Sequence, residues 1–300
     1  MNNKFKSRLM AMRPNTPCTI AVAVATDANV LRSVVQAHDL GFANAILCGK
    51  ESEIKNIAQT QNLNIDNFQI IDCADEASAI TAAVALVRDD KANILMKGLT
   101  HTADILRAVL NRETGIRGDG ILSHVAVLYS PSHDRQLFLT DMAMIMYPDL
   151  NTKVNLVNNA VILARHMGVD MPRVAPLCAV ETLNTAMQAT VDADNLRQMN
   201  ERGEIKNCIV SGPVGFDIAV SKTAAMTKGI TGPIAGNADI LLFDNIEAGN
   251  NTVKAMVKFG DWIFGGVIMG ARAPIIINSR SDDDTSKLYS IACACNMIRK

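Results

Sequence analysis

Pro274-Ile-Ile-Ile-Asn-Ser-Arg-Ser-Asp-Asp-Asp-Thr-Ser-Lys287 is the stretch from which the fold is read. Three isoleucines behind a proline, bounded by polar residues, predict a short buried strand. Leu288, Ile291, Ala292, Cys295 and Ile298 then recur at helical spacing, so a helix packs back on the sheet that holds the strand. A loop leaving a strand for a helix lies at the carboxyl edge of an open α/β sheet, where ligands bind. Ser279, Arg280, Asp282, Asp283 and Asp284 all fall in that loop. One of Asp283, Asp284 and Thr285 is expected to cap the helix. Capping does not account for Ser279 and Arg280, which sit on the strand side.

Upstream the same rhythm repeats. Thr19-Ile-Ala-Val-Ala-Val-Ala25 is an apolar strand, followed by a helix that Asp27 or Asn29 caps and Gly41 ends. Ala45-Ile-Leu-Cys48, Phe68-Gln-Ile-Ile-Asp72 and Asn93-Ile-Leu-Met96 are further strands, with helices predicted from Glu51 and over 76–88. Continuous apolar strands alternating with helices predict a parallel sheet covered on both faces. Lys97-Gly-Leu-Thr-His-Thr-Ala-Asp104 leaves the fourth strand for a helix over 103–112 that carries Arg107. Small and hydroxyl residues at a helix start, beside Lys97 and Arg107, suit a phosphate. The plainer reading makes Thr102 a cap, Arg107 a solvated side chain and His101 structural.

The rhythm changes near residue 122. Val125-Ala-Val-Leu-Tyr129 and Gln136-Leu-Phe-Leu-Thr140, spaced by Ser130-Pro-Ser-His-Asp-Arg135, predict a hairpin. Helices are expected over 151–167, 183–199 and 253–259, and strands over 174–178, 208–212 and 238–244. The glycine-rich segment 228–237 follows a helix and has neither dinucleotide nor Walker spacing, so it reads as a loop with unusual backbone angles. Gly265, Gly266 and Gly270 are expected to allow close packing or a bend where the chain returns to the first lobe. Residues 1–121 with 274–300 are expected to form one α/β lobe, and 122–273 an inserted second, leaving a cleft for small molecules.

Composition excludes several classes. Hydrophobic residues make up 49%, enough for a full core, and the formal net charge is −1. Aromatics at 4% and no basic stripe argue against nucleic acid. No apolar run is long enough for a membrane span, and no apolar stretch follows the basic N-terminal residues as in a secretory signal. Seven scattered cysteines, most inside apolar runs, indicate a reducing cytoplasm. Five histidines form no ligand-spaced cluster, so no metal is expected.

Segments 96–111, 227–242 and 246–250, and Ser279-Arg280 with Lys287-Leu-Tyr-Ser-Ile291, resemble the phosphate acetyl/butyryltransferases, the butyryl branch more closely. The matching order runs from about Thr19 to the C-terminus. The resemblance implies a two-lobed fold shared with isocitrate and isopropylmalate dehydrogenases, with mixed sheets, helices on both faces and a dimeric state. It implies reversible acyl transfer between coenzyme A, a substrate, and inorganic phosphate, in short-chain (butanoate) metabolism, with no metal or redox cofactor. Ser279 and Arg280 match the family's catalytic Ser-Arg pair. Arg107 is similar to an arginine that binds the phosphoryl group, and Arg88 is a loose counterpart of another. Lys97, His101, Thr102 and Asn250, inside the matching segments, join Arg107 as substrate-binding candidates. Seven residues after the motif serine the acetyltransferases carry a carboxylate that takes the thiol proton, and here that residue is Ser286. Asp282 is then the first candidate for the base and Asp284 the second.

These residue types suit the chemistry. A thiol with a pKa of ~8.5 costs on the order of 2 kcal/mol to ionise at neutral pH. An oxyanion forms at the acyl carbon, where fixed donors stabilise it. Phosphate is gripped in two places by a planar guanidinium. The rivals are a metal- and nicotinamide-dependent decarboxylating dehydrogenase on the same fold, with Asp217, Asp239 and Asp244 as ligands, and a non-catalytic acyl-CoA-binding relative.

Overall fold

The apolar strands quoted above cannot leave a face to water, and each finds helices to cover it. The computed structural model describes residues 3–279 and 282–298, in two units: residues 123–262 form one, and the chain on either side forms the other. The first unit begins with α1 (Asn3–Ala11), β1 (Cys18–Ala23), α2 (Ala28–Asp39), β2 (Ala43–Gly49), α3 (Glu51–Thr60), β3 (Gln69–Asp72), α4 (Glu76–Arg88), β4 (Ile94–Lys97) and α5 (Thr102–Val109). The second unit holds β5 (Ser123–Ser130), β6 (Arg135–Thr140), α6 (Leu150–His166), β7 (Arg173–Pro176), α7 (Gln188–Glu201), β8 (Ile209–Val210), α8 (Phe216–Val220), α9 (Lys222–Thr227), β9 (Ile240–Leu242) and α10 (Ile246–Phe259). The chain then returns to the first unit with β10 (Ile263–Met269), β11 (Ile275–Ile276) and α11 (Asp284–Asn296).

In the first unit the strand order is β3-β2-β1-β4-β11-β10, parallel throughout except that β10 runs against β11. From β1 the chain moves outward through β2 to β3, then doubles back to β4 on the other side of β1. Right-handed crossovers in opposite directions put helices on opposite faces. Accordingly α2 packs on β2 and α11, while α4 packs on β1, β2 and α5. The doubling back makes β1 and β4 a topological switch point. Ile20, Leu47, Ile94, Leu95 and Met96 are fully buried in the core.

In the second unit the order is β5-β6-β9-β7-β8, with β5 and β6 antiparallel and the rest parallel. The hairpin is the one that the Pro131-containing spacer predicts. Helix α10 starts seven residues before the predicted 253, because the Asn245 side chain caps the Ala248 N–H at 2.9 Å. Gly249-Asn250-Asn251 had hidden those turns by breaking the apolar periodicity. Helix α7 starts at Gln188 rather than 183, since residues 184–187 form a turn closed by the Thr190 hydroxyl on the Asn184 carbonyl. The 228–237 loop has left-handed backbone at Gly229, Gly232 and Gly236.

The return to the first unit comes at 263, eleven residues before the predicted 274. Of the two readings of Gly265 and Gly266, close packing or a bend, the first fits: they lie in β10, a full strand. Glycines dilute its apolar run for a packing reason: a Cβ on Gly265 would lie 2.8 Å from the Tyr289 ring. Helix α11 therefore seats directly on the strand backbone, and the Gly266 N–H donates to the Ser290 hydroxyl at 3.0 Å.

Candidate active site

Most of the described candidate residues lie on the loops and helix starts that follow β4 and β11 in the first unit. Strands β1, β4 and β11 are neighbours and parallel, so the loops leaving them are neighbours too. The β4 loop turns tightly: the Gly98 and Leu99 N–H groups donate to the Ala23 and Val24 carbonyls, both at 2.8 Å. A Cβ on Gly98 would sit 2.1 Å from the Val24 oxygen, so only glycine fits. Lys97 is buried at 7% exposure, and its Nζ donates to the Gly98 and Thr100 carbonyls at 3.2 and 3.1 Å. Its ammonium thus braces this turn. Thr100 is buried with its hydroxyl unpartnered. His101 occupies the cap position of α5 without a side-chain cap bond, and Thr102 is the first helical residue; both are exposed.

Arg107 is on the exposed side of α5, with 76% of its side chain accessible, and pairs with Asp104 one turn earlier at 2.7 Å. A guanidinium so placed exchanges this partner for a phosphate at little cost. Arg88 closes α4, a helix leading into β4, which puts it at the amino edge, opposite the candidate loops. There it bonds Asp89 and the Thr114 carbonyl. The sequence reading passed over Arg32. From α2 it reaches Asp284 in the first turn of α11 at 2.8 Å and Gln61 at 2.8 Å.

The β11–α11 loop gives each aspartate a place. Asp283 is the helix cap, accepting the Ser286 N–H at 2.7 Å. Asp284 has one oxygen on Arg32. Asp282 accepts the Ser279 N–H at 2.8 Å and the Asn278 amide at 3.3 Å through one oxygen, while its own N–H returns to the Ser279 carbonyl at 3.1 Å. The two candidate bases are therefore engaged in holding the loop. Ser279 itself is exposed, and Ser286 is buried in the helix. Arg280 falls outside the described residues. Lys287, not singled out from the sequence, is 3% exposed and points its Nζ at the Asp282 and Ser279 carbonyls. Its signal was there to find, since a lysine one turn into an otherwise apolar helix must place its charge somewhere.

Asn250 belongs to the second unit, where its side chain donates to the Met142 carbonyl at 3.0 Å. That bond braces α10 against the segment after β6. Asp217, Asp239 and Asp244, the metal ligands of the dehydrogenase rival, each face a cation: Lys228 at 3.6 Å, Arg173 at 2.7 Å and Lys153 at 2.5 Å. Among the described residues no three His, Cys, Asp or Glu side chains are grouped to hold a metal. Ser130, His133 and Asp261 meet without forming a nucleophilic triad, because Asp261 accepts from Ser130 rather than from the imidazole, and Ser130 is fully buried.

Thiol catalysis by the chain's own cysteines does not suit the site. Burial pushes Cys48 up to about 12 and Cys178 and Cys208 to about 11. Cys18 is held low by a hydrogen bond with Cys295, but it opens β1 at the amino edge.

The family model described as Phosphate acetyl/butaryl transferase matches residues 4–79 and 76–295. The chain belongs to that family. It is 45% identical to the phosphate butyryltransferase of Clostridium beijerinckii, across 98% of this chain and 97% of that one. Among solved structures it is similar to a branched-chain phosphotransacylase from Enterococcus faecalis V583, with a TM-score of 0.83 and 31% identity over 94% of this chain and 99% of that one. A 4-hydroxythreonine-4-phosphate dehydrogenase from Klebsiella pneumoniae, with a TM-score of 0.51 and 14% identity over 94% and 100% of the two chains, shares the fold. The architecture is thus α/β with mixed sheets flanked by helices, common to acyltransferases and dehydrogenases. No helix among the described residues is long and apolar enough to cross a membrane.

Proposed function

We propose that the protein moves a short-chain acyl group reversibly between coenzyme A and inorganic phosphate, with butyryl-CoA and phosphate giving butyryl phosphate and CoA. The observation that carries this is the 45% identity to a phosphate butyryltransferase across nearly the full length of both chains. The strand order supports it, since β4 and β11 are neighbours and the loops leaving them lead into α5 and α11 at one sheet edge.

In the forward direction a phosphate oxygen attacks the thioester carbonyl carbon. A C–O bond forms, the C–S bond breaks, and CoA leaves as a thiolate that takes up a proton. Arg107 suits the phosphate, since its fork offers two parallel donors. The Ser279 hydroxyl and the N–H groups of a helix first turn suit the oxyanion that develops at the carbonyl. In reverse the thiol gives up its proton before or during attack. With Asp282 and Asp284 engaged in the loop, water takes that proton. The free thiols agree with a reducing compartment such as the cytoplasm.

The test is release of free thiol from butyryl-CoA on addition of phosphate, with acyl phosphate trapped as the hydroxamate. A series from acetyl- to hexanoyl-CoA, including branched chains, should peak at four carbons. A protein that releases no thiol from any of them would refute the assignment.

A further inference from the structure

The geometry points to Asp282 and Lys287 as a positioning pair that fixes Ser279 for the transfer, Asp282 serving as a backbone clamp and not as the proton acceptor. The inference rests on the acyl-transfer reading. Ser279 is held from both sides of its peptide unit. Its N–H donates to the Asp282 carboxylate at 2.8 Å, and its carbonyl accepts from the Asp282 N–H at 3.1 Å and from the Lys287 ammonium at 3.5 Å. The same ammonium bonds the Asp282 carbonyl, so both ends of the turn converge on one cation.

The clamp is anchored in the sheet. The Asn278 amide donates to the Asp282 carboxylate at 3.3 Å and to the Ser290 hydroxyl at 3.1 Å, and Ser290 accepts the Gly266 N–H of β10. Asn278 is buried, and its amide has to face Asp282 with nitrogen, because its oxygen there would meet a carboxylate. The contrast with Lys153 is informative. That lysine, equally buried, is met by two carboxylates, whereas Lys287 makes no salt bridge among the described residues and donates to backbone carbonyls. A buried charge kept without a counter-charge is costly unless something charged and opposite arrives beside it. Phosphate and the thiolate are such partners, and Ser279, exposed among the described residues of the turn, is placed to meet them. Lys287 therefore holds the turn and biases its field toward anions.

The experiment compares wild type, Asp282→Asn, Asp282→Ala and Lys287→Met. It measures kcat and KM for butyryl-CoA and phosphate across pH, and hydrogen exchange at the Ser279 amide by mass spectrometry. Asn at 282 keeps an oxygen for the Ser279 N–H, so this variant should stay within about fivefold of wild-type kcat and keep the acid limb of the pH profile. Asp282→Ala and Lys287→Met should lose about 30–100-fold, mostly in kcat and in the phosphate KM, and Asp282→Ala should speed exchange at Ser279 at least tenfold. If Asp282→Asn is as inert as the alanine variant and its acid limb vanishes, Asp282 is the base and the clamp is wrong. Folded Asp282→Ala and Lys287→Met enzymes with unaltered kinetics and exchange overturn it as well. A wild type inert toward butyryl-CoA and phosphate would overturn the transferase reading alone, and the exchange data would still judge the clamp.

Discussion

Replacing Lys153 with Met should destabilise the protein by several kcal/mol without touching the candidate loops. Lys153 lies in the first turn of α6 at 4% exposure and meets Asp192 of α7 at 2.6 Å and Asp244, just past β9, at 2.5 Å. Gln188 supplies a further donor to Asp192 at 2.8 Å. Methionine fills the same volume but leaves Asp192, itself 5% exposed, as a buried carboxylate with its cation gone. Removing one partner of a buried pair costs about 3–5 kcal/mol. With a urea slope of ~2–3 kcal/mol/M, the midpoint should fall by roughly 1–2 M. Burial opposes the lysine charge, but the two carboxylates outweigh it and hold the Lys153 pKa above its ordinary value. A group whose folded pKa is raised gives its full stabilisation below the unfolded value. The wild-type advantage over Lys153→Met should therefore be constant up to about pH 10 and shrink as pH rises from ~10.4 through the raised folded value. Urea unfolding followed by circular dichroism, from pH 6 to 11, is the assay. A midpoint shift under 0.3 M (about 1 kcal/mol at that slope), or an advantage that grows with alkali, would refute the argument.

Other expectations concern the edge itself. Gly98→Ala places a methyl 2.1 Å from one backbone oxygen and 2.7 Å from another, so it should cost more than ~3 kcal/mol or prevent folding. Gly120→Ala, with nothing within 4 Å, is the control and should melt with wild type. Arg107→Gln should raise the phosphate KM about tenfold with an unchanged melting temperature, since the side chain is exposed and its partner is one turn away; an unchanged KM would remove Arg107 from the site. Cys48 and Cys208, pushed to about 12 and about 11 by burial, should resist a thiol reagent at pH 8 until the protein unfolds. Prompt labelling of the folded protein would contradict their burial.

The sheet of the first unit was legible because its strands are unbroken apolar runs and its turns carry capping aspartates. Asp27, Asp75 and Asp283 each accept a backbone N–H where the pattern calls for a helix start. Strand β10 was hidden for the opposite reason. Its Gly265 exists to admit the Tyr289 ring from α11, and a contact between residues 24 apart leaves no periodic trace. At the site, the sequence shows which loops leave the strands but not what the side chains within them bond. Residue type suggests that an aspartate beside a serine is a base, but only coordinates show its oxygen already on that serine's N–H. The bonds of Lys97 and Lys287 are hidden likewise, because a lysine aimed inward at carbonyls looks in sequence like one aimed at solvent.

Strand β11 is two residues long, yet it is wedged between β4 and β10, joining strands whose residues are made at widely separated times. On the ribosome, residues 123–262 emerge as an uninterrupted stretch able to fold at once. The earlier part must wait with the flank of β4 bare until the final strand and helix are translated. A nascent chain halted before β11 would thus leave the four-residue flank of β4 without its partner strand.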